Sequence, residues 1–285
     1  MTPPDNPHAP PRDIAIPPAA ADITEDTFLG NRLSLLQPAR GYRAGIDAVL
    51  LAATAADFPS KPMAVLDCGA GVGTVGLCVA ARRPQARVTL VEREPALVAL
   101  ARRNIARNGF SDIVALIKGD VAAPASHQDA PRVAPESFDL VLANPPYHDA
   151  AGGTRAGNAL KQVSHAMEAG ELDAWVRFAA RTCRPGGRVT LIHKADALAA
   201  LLETLQDRFG NLTITPIHPY AAKPAIRILV SGIKGSRAPL SIAPPLVLHD
   251  AGGAFTPYVG RILRQGAPLD IPPAIATGNA DQLKD

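Results

Sequence analysis

Val65-Leu66-Asp67-Cys68-Gly69-Ala70-Gly71-Val72-Gly73-Thr74 is the segment of this chain that decides its fold. A short apolar run ends in an acid, three glycines follow at alternate positions, and an apolar helical pattern comes next. Glycine lets the backbone adopt conformations that other residues resist and lets it pass close to a ligand. The segment therefore predicts a strand, a glycine turn and a helix, an arrangement that binds nucleotide-type cofactors in α/β sheets.

Strands and helices alternate along the chain from Met63 onward. Continuous apolar runs, such as residues 88–91 and 140–143, are typical of strands whose sheet is covered on both faces. The pattern predicts strands at 63–68, 87–92, 113–118, 138–143, 187–193, 211–217 and 225–233, and helices at 73–82, 95–108, 171–183 and 196–208. This alternation predicts a doubly wound, mostly parallel α/β sheet, whose last two strands form an antiparallel hairpin at one edge.

The chain divides into an arm, a domain and an extension. Residues 1–24 are rich in Pro and Ala and are predicted to form a disordered arm. Residues 25–240 are predicted to form the α/β domain. It begins with a hairpin at 27–37 that turns at Gly30-Asn31, and a helix in which Asp47 is the N-cap or lies in the first turn. Residues 241–285 are predicted to be a partly ordered extension with a strand at 246–249 and a short helix at 257–265.

The composition argues against several classes of protein. No apolar run reaches the roughly 18 residues that a membrane span needs, and residues 1–18 lack the apolar region of a secretory signal. The three cysteines form no CxxC pair, so we expect a cytoplasmic protein with no membrane partner. The net charge of +3 and the pI of about 8.9 are compatible with a nucleic-acid partner. The seven histidines show no metal-ligand spacing, so no metal is expected.

Acidic residues follow the strands that neighbour the glycine turn. Glu92 ends the second strand, 25 residues after Asp67, where a carboxylate can accept hydrogen bonds from both ribose hydroxyls of a nucleoside. Asp120 ends the third strand and could bind the exocyclic amine of an adenine, while Val121 offers a backbone amide. Taken singly, Glu92 could instead be a surface charge or a helix cap before Pro95, and Asp120 could instead be a simple turn residue or an Asx cap. Together they mark one edge of the sheet, because parallel strands all end there.

Asn144-Pro145-Pro146-Tyr147 is the most specific motif in the chain, and it follows the fourth strand. Two prolines directly after a strand end its hydrogen bonding and hold the backbone rigid, and the first keeps Asn144 out of the helical region. The Asn144 carboxamide oxygen and the Pro145 carbonyl then become two fixed acceptors, which suit a planar NH2 group. Tyr147 offers a flat face on which a planar substrate can stack.

Four motifs, taken in their order along the chain, resemble those of class I S-adenosylmethionine-dependent amino-methyltransferases. They are Asp67-x-Gly-x-Gly-x-Gly, Glu92, Gly119-Asp120 and Asn144-Pro-Pro-Tyr. The resemblance implies S-adenosylmethionine as cofactor and a seven-stranded sheet in the order 3-2-1-4-5-7-6 with strand 7 antiparallel. It implies that the acceptor is held by Asn144, Pro145, Pro146 and Tyr147. The cofactor-binding residues that it implies are Gly45, Asp47, Asp67, Gly69, Ala70, Gly71, Gly73, Glu92, Arg93, Asp120, Val121 and Asn144.

Three flanking segments narrow the resemblance. They resemble segments of bacterial tRNA1(Val) (adenine37-N6)-methyltransferases. The first is the lead-in at 37–53, with its Gly-Tyr-Arg-Ala-Gly-Ile-Asp core. The others are the stretch through His165, Glu168, Leu172 and Trp175, and residues 246–263. This implies N6-methylation of an adenine in a tRNA substrate, with Gly45 and Asp47 closing over the methionine end of the cofactor. We expect a monomer or a weak dimer. Basic residues that could contact phosphate on the rim are Arg43, Arg155, Lys161, Lys194, Lys223 and Arg227.

Three alternatives remain at the level of the sequence. Release-factor glutamine methyltransferases also use Asn-Pro-Pro-Tyr, but they carry a helical N-terminal domain and a Pro-Arg-Pro-Glu-type lead-in that this chain lacks. The acceptor could instead be another nucleic-acid amine, such as guanine N2 in ribosomal RNA or adenine N6 in DNA. The third alternative is a non-catalytic module that binds the cofactor, against which the intact Asp67, Glu92, Asp120 and Asn144 argue.

Overall fold

The computed structural model describes residues 23–40, 43–57, 63–124, 126–146 and 158–270, with only the backbone at 56–57 and 158–169. Outside these residues lie most of the predicted arm, the predicted stacking residue Tyr147 and the end of the extension. Within them, no helix is both long and apolar enough to cross a membrane.

An antiparallel hairpin opens the described chain, as the sequence predicts. Strands β1 (Ile23–Phe28) and β2 (Leu33–Pro38) pair along their whole length. Leu29, Gly30 and Asn31 all have positive φ angles in the turn. Because β1 begins at Ile23, the last two residues assigned to the disordered arm belong to a strand, and that boundary was wrong.

The domain then alternates strands and helices. Its first half contains α1 (Ile46–Ala53), β3 (Ala64–Cys68), α2 (Thr74–Arg82), β4 (Arg87–Glu92), α3 (Pro95–Arg107), β5 (Val114–Lys118) and β6 (Phe138–Ala143). Its second half contains α4 (Asn158–Thr182), β7 (Cys183–Lys194), α5 (Leu198–Leu205), β8 (Phe209–His218) and β9 (Arg227–Lys234). The extension adds β10 (Ser241–Ile242), β11 (Leu246–Val247) and α6 (Pro257–Gly260), which continues as a π-helical turn to Gln265.

The central sheet has the predicted order with one addition. Its strands lie in the order β5-β4-β3-β6-β7-β9-β8, which is 3-2-1-4-5-7-6 for the seven core strands, and β9 is antiparallel to both neighbours. Strands β10 and β11 pair parallel with the outer edge of β8, so the described sheet has nine strands rather than seven. The predicted final hairpin therefore does not end the sheet. The strand predicted at 246–249 is present as the two residues of β11, whereas β10 was not predicted, because two residues before Pro244 show no alternating pattern.

Alternate residues of each strand face two different helical layers. In β3, Val65 packs with α1, α2, α3 and the hairpin, whereas Leu66 packs with α4 and α5. Leu140 and Val141 divide in the same way in β6. This three-layer packing explains the continuous apolar runs, since both sides of each strand are buried.

Two elements are longer than the sequence predicts. Helix α4 begins at Asn158, 13 residues before the predicted start. The prediction missed this part of the helix because residues 158–170 carry few large apolar residues. Strand β7 begins at Cys183, and its pairing with β6 skips from Cys183 to Arg188. Gly186 has a φ of +73° in this irregular segment, which interrupts the alternating pattern on which the prediction relied.

Two asparagines, Asn104 in α3 and Asn108 at the C-cap of this helix, hold the hairpin against the domain. Asn108 Oδ1 accepts from the Ser34 amide at 3.1 Å, and its Nδ2 donates to the Ser34 carbonyl at 2.9 Å. One helical turn earlier, Asn104 makes the same pair of bonds with Leu36, at 2.8 and 3.0 Å. Residues i and i+4 of a helix are spaced like residues i and i+2 of a strand, so the two carboxamides act as a substitute for a neighbouring strand.

Candidate active site

The glycine loop joins β3 to α2 at the carboxyl edge of the sheet. Gly69, Gly71 and Gly73 have φ angles of +63°, +58° and +92°, a region that side chains other than glycine resist. The loop is closed by hydrogen bonds from the Gly73 amide to the Ala70 carbonyl at 2.8 Å and from the Ala70 amide to the Val91 carbonyl at 2.9 Å. The predicted strand, turn and helix are present, and the loop is fastened to the neighbouring strand β4.

Two adjoining cavities lie over this loop. The larger, of about 250 Å³, is lined by residues that include Glu92, Asp120, Val121, Pro146 and Trp175. The smaller runs towards the hairpin and is lined by residues that include Gln37, Ala44, Ala48 and Thr74. The cavities share Gly69, Gly71, Leu97 and Asn144, so they form the two ends of one elongated site.

Glu92 lines the larger cavity and is 7 % exposed. Its Oε2 accepts from the Gly71 amide and its Oε1 accepts from the Glu94 amide, both at 2.8 Å. A carboxylate offers about four lone-pair positions, so two remain for a ligand after these backbone bonds. This arrangement suits a pair of vicinal hydroxyls, the role that the sequence predicts for Glu92.

Asp67 lies beneath the loop rather than on the cavity wall. It is 1 % exposed, and its Oδ2 accepts from the Gly76 amide at 2.9 Å. Burial raises the pKa of its carboxyl to about 7; the Gly76 hydrogen bond opposes the rise, and the negative charge of Glu92 adds to it. Asp67 thus ties the end of β3 to α2, and any effect it has on a cofactor passes through the loop above it.

Arg93 and Asp120 form the outer wall of the larger cavity. Asp120 Oδ1 accepts from the Ala122 amide at 2.9 Å in a tight turn, and its Oδ2 lies 3.4 Å from Arg93 Nη1. Val121, directly after it, is 5 % exposed and also lines the cavity. The structure therefore brings Glu92, Arg93, Asp120 and Val121 to one end of the site, as the sequence predicts.

Asn144 stands where the two cavities meet. It directly follows β6, is half-buried and lines both cavities, while Pro145 is buried and Pro146 is exposed on the wall of the larger one. Tyr147 lies outside the described residues, so its predicted stacking role stays a prediction.

The lead-in to α1 reaches the site by different residues from those predicted. Gly45 is the N-cap of α1 and lines a separate cavity beside the hairpin turn. Asp47 lies in the first turn of the helix, and its Oδ2 accepts from Arg227 Nε at 2.9 Å. Their neighbours Ala44 and Ala48 line the smaller cavity instead. The predicted contacts of Gly45 and Asp47 with the cofactor stay predictions.

Trp175 is a site residue that the motifs did not identify. It lies in α4 and is 8 % exposed, and its ring packs so closely on Gly69 that a Cβ atom there would be 2.2 Å from Cη2. Sequence reasoning had no signal for this contact, because it depends on how α4 crosses the sheet. Gln37 is a second such residue: it is buried, and its Oε1 accepts from the Ala44 amide at 2.8 Å beside the smaller cavity.

The described residues fit an adenosine joined to an amino acid. The Glu92 carboxylate lines a cavity with polar and apolar walls, and this cavity adjoins a smaller one over the glycine loop. A Cβ atom on Gly71 would meet no protein atom within 4 Å, so the space in front of this residue is open to a ligand. Among the described residues, no cluster of three or more His, Cys, Asp or Glu could hold a metal ion.

A sheet in this order with an elongated site of this kind at its carboxyl edge belongs to the class I S-adenosylmethionine-dependent methyltransferases. The chain belongs to the family described as Methyltransferase small domain, which residues 47–216 match. The cofactor is therefore S-adenosylmethionine, and the family resemblance drawn from the motifs is confirmed.

Relatives with two different named activities are similar to this chain. The chain is 30 % identical to the tRNA1(Val) (adenine(37)-N6)-methyltransferase of Porphyromonas gingivalis, over 83 % of this chain and 93 % of that protein. It is 29 % identical to the release factor glutamine methyltransferase of Salmonella typhimurium, over 56 % of this chain and 61 % of that protein. Among solved structures, a predicted O-methyltransferase from Agrobacterium tumefaciens, Atu636, is 34 % identical and superposes with a TM-score of 0.65, covering 78 % of this chain and 98 % of that one.

Proposed function

We propose that this chain transfers the methyl group of S-adenosylmethionine to N6 of an adenine in tRNA, with adenine 37 of tRNA1(Val) as the first candidate. The relative from Porphyromonas gingivalis that carries this name spans 83 % of the chain, whereas the glutamine methyltransferase relatives span 56 %, 30 % and 64 %. The longer match takes in more of the chain outside the cofactor-binding core, and this supports a tRNA substrate.

The position of Asn144 is the observation that carries the proposal. It lies at the junction of the two cavities, beside the glycine loop and directly after β6. The bound cofactor supplies a methyl group on a sulfonium. A planar amine held by the Asn144 carboxamide oxygen and the Pro145 carbonyl would present its nitrogen lone pair to that methyl. Such alignment is worth several kcal/mol as proximity and orientation.

A strong general base is not required for this chemistry. The attacking amine becomes acidic as it forms the new bond to carbon, and it loses its proton afterwards to water. An adenine in an anticodon loop must leave its stack to enter the site, which single-stranded loops allow at low cost. The residues therefore need to bind and orient the base rather than deprotonate it.

The cations predicted on the rim are only partly available for phosphate. Arg43 pairs with Asp26 and Arg227 with Asp47, whereas Lys223 is exposed and makes no ion pair with any described residue. The side chains of Arg155 and Lys161 lie outside the described residues. Lys223 is thus the rim cation best placed to contact a phosphate of the RNA. Its replacement should make RNA affinity less dependent on salt.

One incubation tests the proposal. The protein is mixed with labelled S-adenosylmethionine, unmodified tRNA transcripts and a separate pool of release-factor protein, and the products are digested to nucleosides and amino acids. We expect N6-methyladenosine in the tRNA. Label in glutamine alone would show instead that the protein is a release-factor glutamine methyltransferase. The side-chain amide of glutamine also has a planar NH2 group that Asn144 and Pro145 could hold.

Asn144→Ala should lower methyl transfer to tRNA by at least about a hundredfold, since misplacement of about 1 Å at a reacting centre already costs that much. Binding of S-adenosylhomocysteine, measured by calorimetry, should stay within a few-fold of wild type. Asn144→Gln is the matched variant, because it keeps the amide but moves it by one methylene. Loss of cofactor affinity with methyl transfer spared would contradict the role of Asn144.

A further inference from the structure

An aromatic platform projects beyond the carboxyl edge of the sheet, apart from the cavity already described. It consists of Tyr220, His249 and Phe255. Tyr220 follows the end of β8, which runs in the same direction as β6 and therefore ends at the same edge as Asn144. Three strand spacings separate β6 from β8 in the sheet, so the platform begins about 14 Å to the side of Asn144.

The three rings form one column. The centroids of His249 and Phe255 lie 4.7 Å apart with their planes 22° from parallel, and those of Tyr220 and His249 lie 5.5 Å apart at 36°. His249 is the middle ring, so Tyr220 and Phe255 form the two ends of the column. These end residues are 41 % and 37 % exposed, which places them among the few large hydrophobic residues exposed on the described surface.

Backbone hydrogen bonds fix the platform in place before any ligand arrives. The segment 248–256 is a tight hairpin closed by bonds from the Thr256 amide to the Leu248 carbonyl and from the Asp250 amide to the Ala254 carbonyl, both of 2.9 Å. The turn that carries Tyr220 is closed by the Lys223 amide, which donates to the Tyr220 carbonyl at 3.0 Å. A rigid aromatic surface loses little conformational entropy on binding.

A cation that could contact a phosphate lies beside the platform. The exposed Lys223 lies three residues after Tyr220 and is unpaired among the described residues. The nearby acid Asp250 is also exposed, and its Oδ1 accepts from the amides of Gly252 and Ala254 at 2.9 and 3.1 Å, which offsets part of its negative charge. Flat rings beside a cation are the combination that binds single-stranded nucleic acid, because every base has a face to stack and a phosphate to neutralise.

We propose that Tyr220 and Phe255 stack with an unpaired base of the RNA substrate, next to the loop that delivers the methylated base to Asn144. This inference rests on the proposed function, since it assigns a second subsite to the same substrate. The platform positions the RNA and takes no part in the methyl transfer. Its removal should therefore weaken the use of RNA without slowing the reaction at saturation.

The test uses the full chain and an unmodified transcript of the tRNA that the wild-type protein methylates best. Tyr220→Ala and Phe255→Ala should each raise the KM for tRNA by about 5- to 100-fold, the range expected for loss of one stacked base. The kcat and the affinity for S-adenosylhomocysteine should stay within about twofold of wild type, because neither ring lines the cofactor cavities. Transcripts with 4-thiouridine in the anticodon loop should cross-link to the peptides that contain Tyr220 or Phe255.

Matched variants separate stacking from folding. Tyr220→Phe keeps the ring and should behave like wild type, whereas Phe255→Leu keeps apolar volume but removes the flat face and should resemble Phe255→Ala. Ile242→Ala removes an exposed apolar side chain of β10 on the side of the sheet, and should leave the KM unchanged. A KM that follows only the melting temperature of the variants, or no cross-link to either peptide, would overturn the platform.

The outcomes distinguish this inference from the proposed function. If the wild-type protein methylates tRNA and both alanine variants do so with an unchanged KM, the platform is wrong and the proposed function stands. If the wild-type protein methylates only glutamine in protein, the proposed function is wrong, and the RNA subsite fails with it.

Discussion

Gly71 and Glu92 are joined by a hydrogen bond of 2.8 Å, from the Gly71 amide to Glu92 Oε2. The bond links the glycine loop to the end of the next strand, so the two motifs that the sequence shows 21 residues apart form one unit. Glu92 has two tasks in this unit: it fixes the loop through one oxygen and offers its remaining lone pairs to the cavity.

Glu92→Gln should weaken binding of S-adenosylhomocysteine by about 10- to 100-fold, because hydrogen bonds to a charged group are worth about 1.5–3 kcal/mol. The amide NH2 of glutamine cannot accept from a backbone N–H, so one of the two backbone bonds is lost as well. Calorimetric titration measures the affinity. Glu203→Gln is the control, since it makes the same change in charge at an exposed site of α5. Equal affinity in both variants would contradict a role for Glu92 in cofactor binding.

Asn104→Ala should destabilise the protein by about 2–4 kcal/mol, because it leaves partly buried backbone groups of Leu36 and the buried carbonyl of Val72 without this partner. Asn104 is fully buried and its Nδ2 donates to the Val72 carbonyl at 3.0 Å, which links the hairpin, α3 and the glycine loop. Cofactor affinity should fall too, since the loop loses this support. Urea unfolding and calorimetry measure the two effects.

Asn108→Ala provides the matched control for Asn104. Asn108 makes the same pair of bonds to β2 one turn further along the helix, but it is only half-buried and does not reach the loop. Its loss should cost about 1 kcal/mol and leave cofactor affinity unchanged. Equal effects on affinity in the two variants would show that support from the hairpin matters rather than the bond to Val72.

Much of this architecture follows from the sequence for a simple reason. Strands buried on both faces are continuous apolar runs, and residues at their carboxyl ends must meet at one edge, so Glu92, Asp120 and Asn144 could be placed together without coordinates. Contacts made across layers could not be predicted. Asn104 is a polar residue that resembles a surface residue of an amphipathic helix, yet it is fully buried because a strand approaches it.

The inability to predict contacts across layers also explains why the motifs did not identify Trp175 as a site residue. Its position in α4 predicts a core residue, and only the packing of α4 on the sheet brings its ring onto Gly69. The lead-in at 43–48 is a related case, because the resemblance indicated Gly45 and Asp47 while the fold turns Ala44 and Ala48 towards the cavity. Motif spacing identifies a segment near a site, but packing decides which side chains face it.

Gly69→Ala should lower both stability and cofactor affinity, because the new Cβ would lie 2.2 Å from the Trp175 ring at a φ of +63°. The ring must move, and it forms part of the cavity wall. Gly109→Ala separates strain from collision, since Gly109 has a φ of +72° but an open surrounding; it should cost about 1–3 kcal/mol and spare affinity. Adding Trp175→Leu to Gly69→Ala should restore part of the lost stability, and absence of any such coupling would contradict a collision.

Asp67 should give the protein a stability that depends on pH in the acid-to-neutral range. Burial raises the pKa of its carboxyl from 3.8 to about 7 in the folded chain, so the folded state binds a proton that the unfolded state has already lost. The stability that Asp67 contributes is therefore fully present below about pH 4 and is lost as the pH rises through about 7, at up to roughly 1.4 kcal/mol per pH unit.

Asp67→Asn removes this titration while keeping an oxygen that can accept from the Gly76 amide. Urea unfolding of both proteins at several pH values between 4 and 8 should show the wild type losing stability relative to the variant as the pH rises. Asp112→Asn, at an exposed site, should stay within about 0.5 kcal/mol of wild type throughout. Parallel curves for wild type and Asp67→Asn would mean that Asp67 ionises as readily in the folded chain as in the unfolded one, and that its burial beneath the glycine loop carries no cost in free energy.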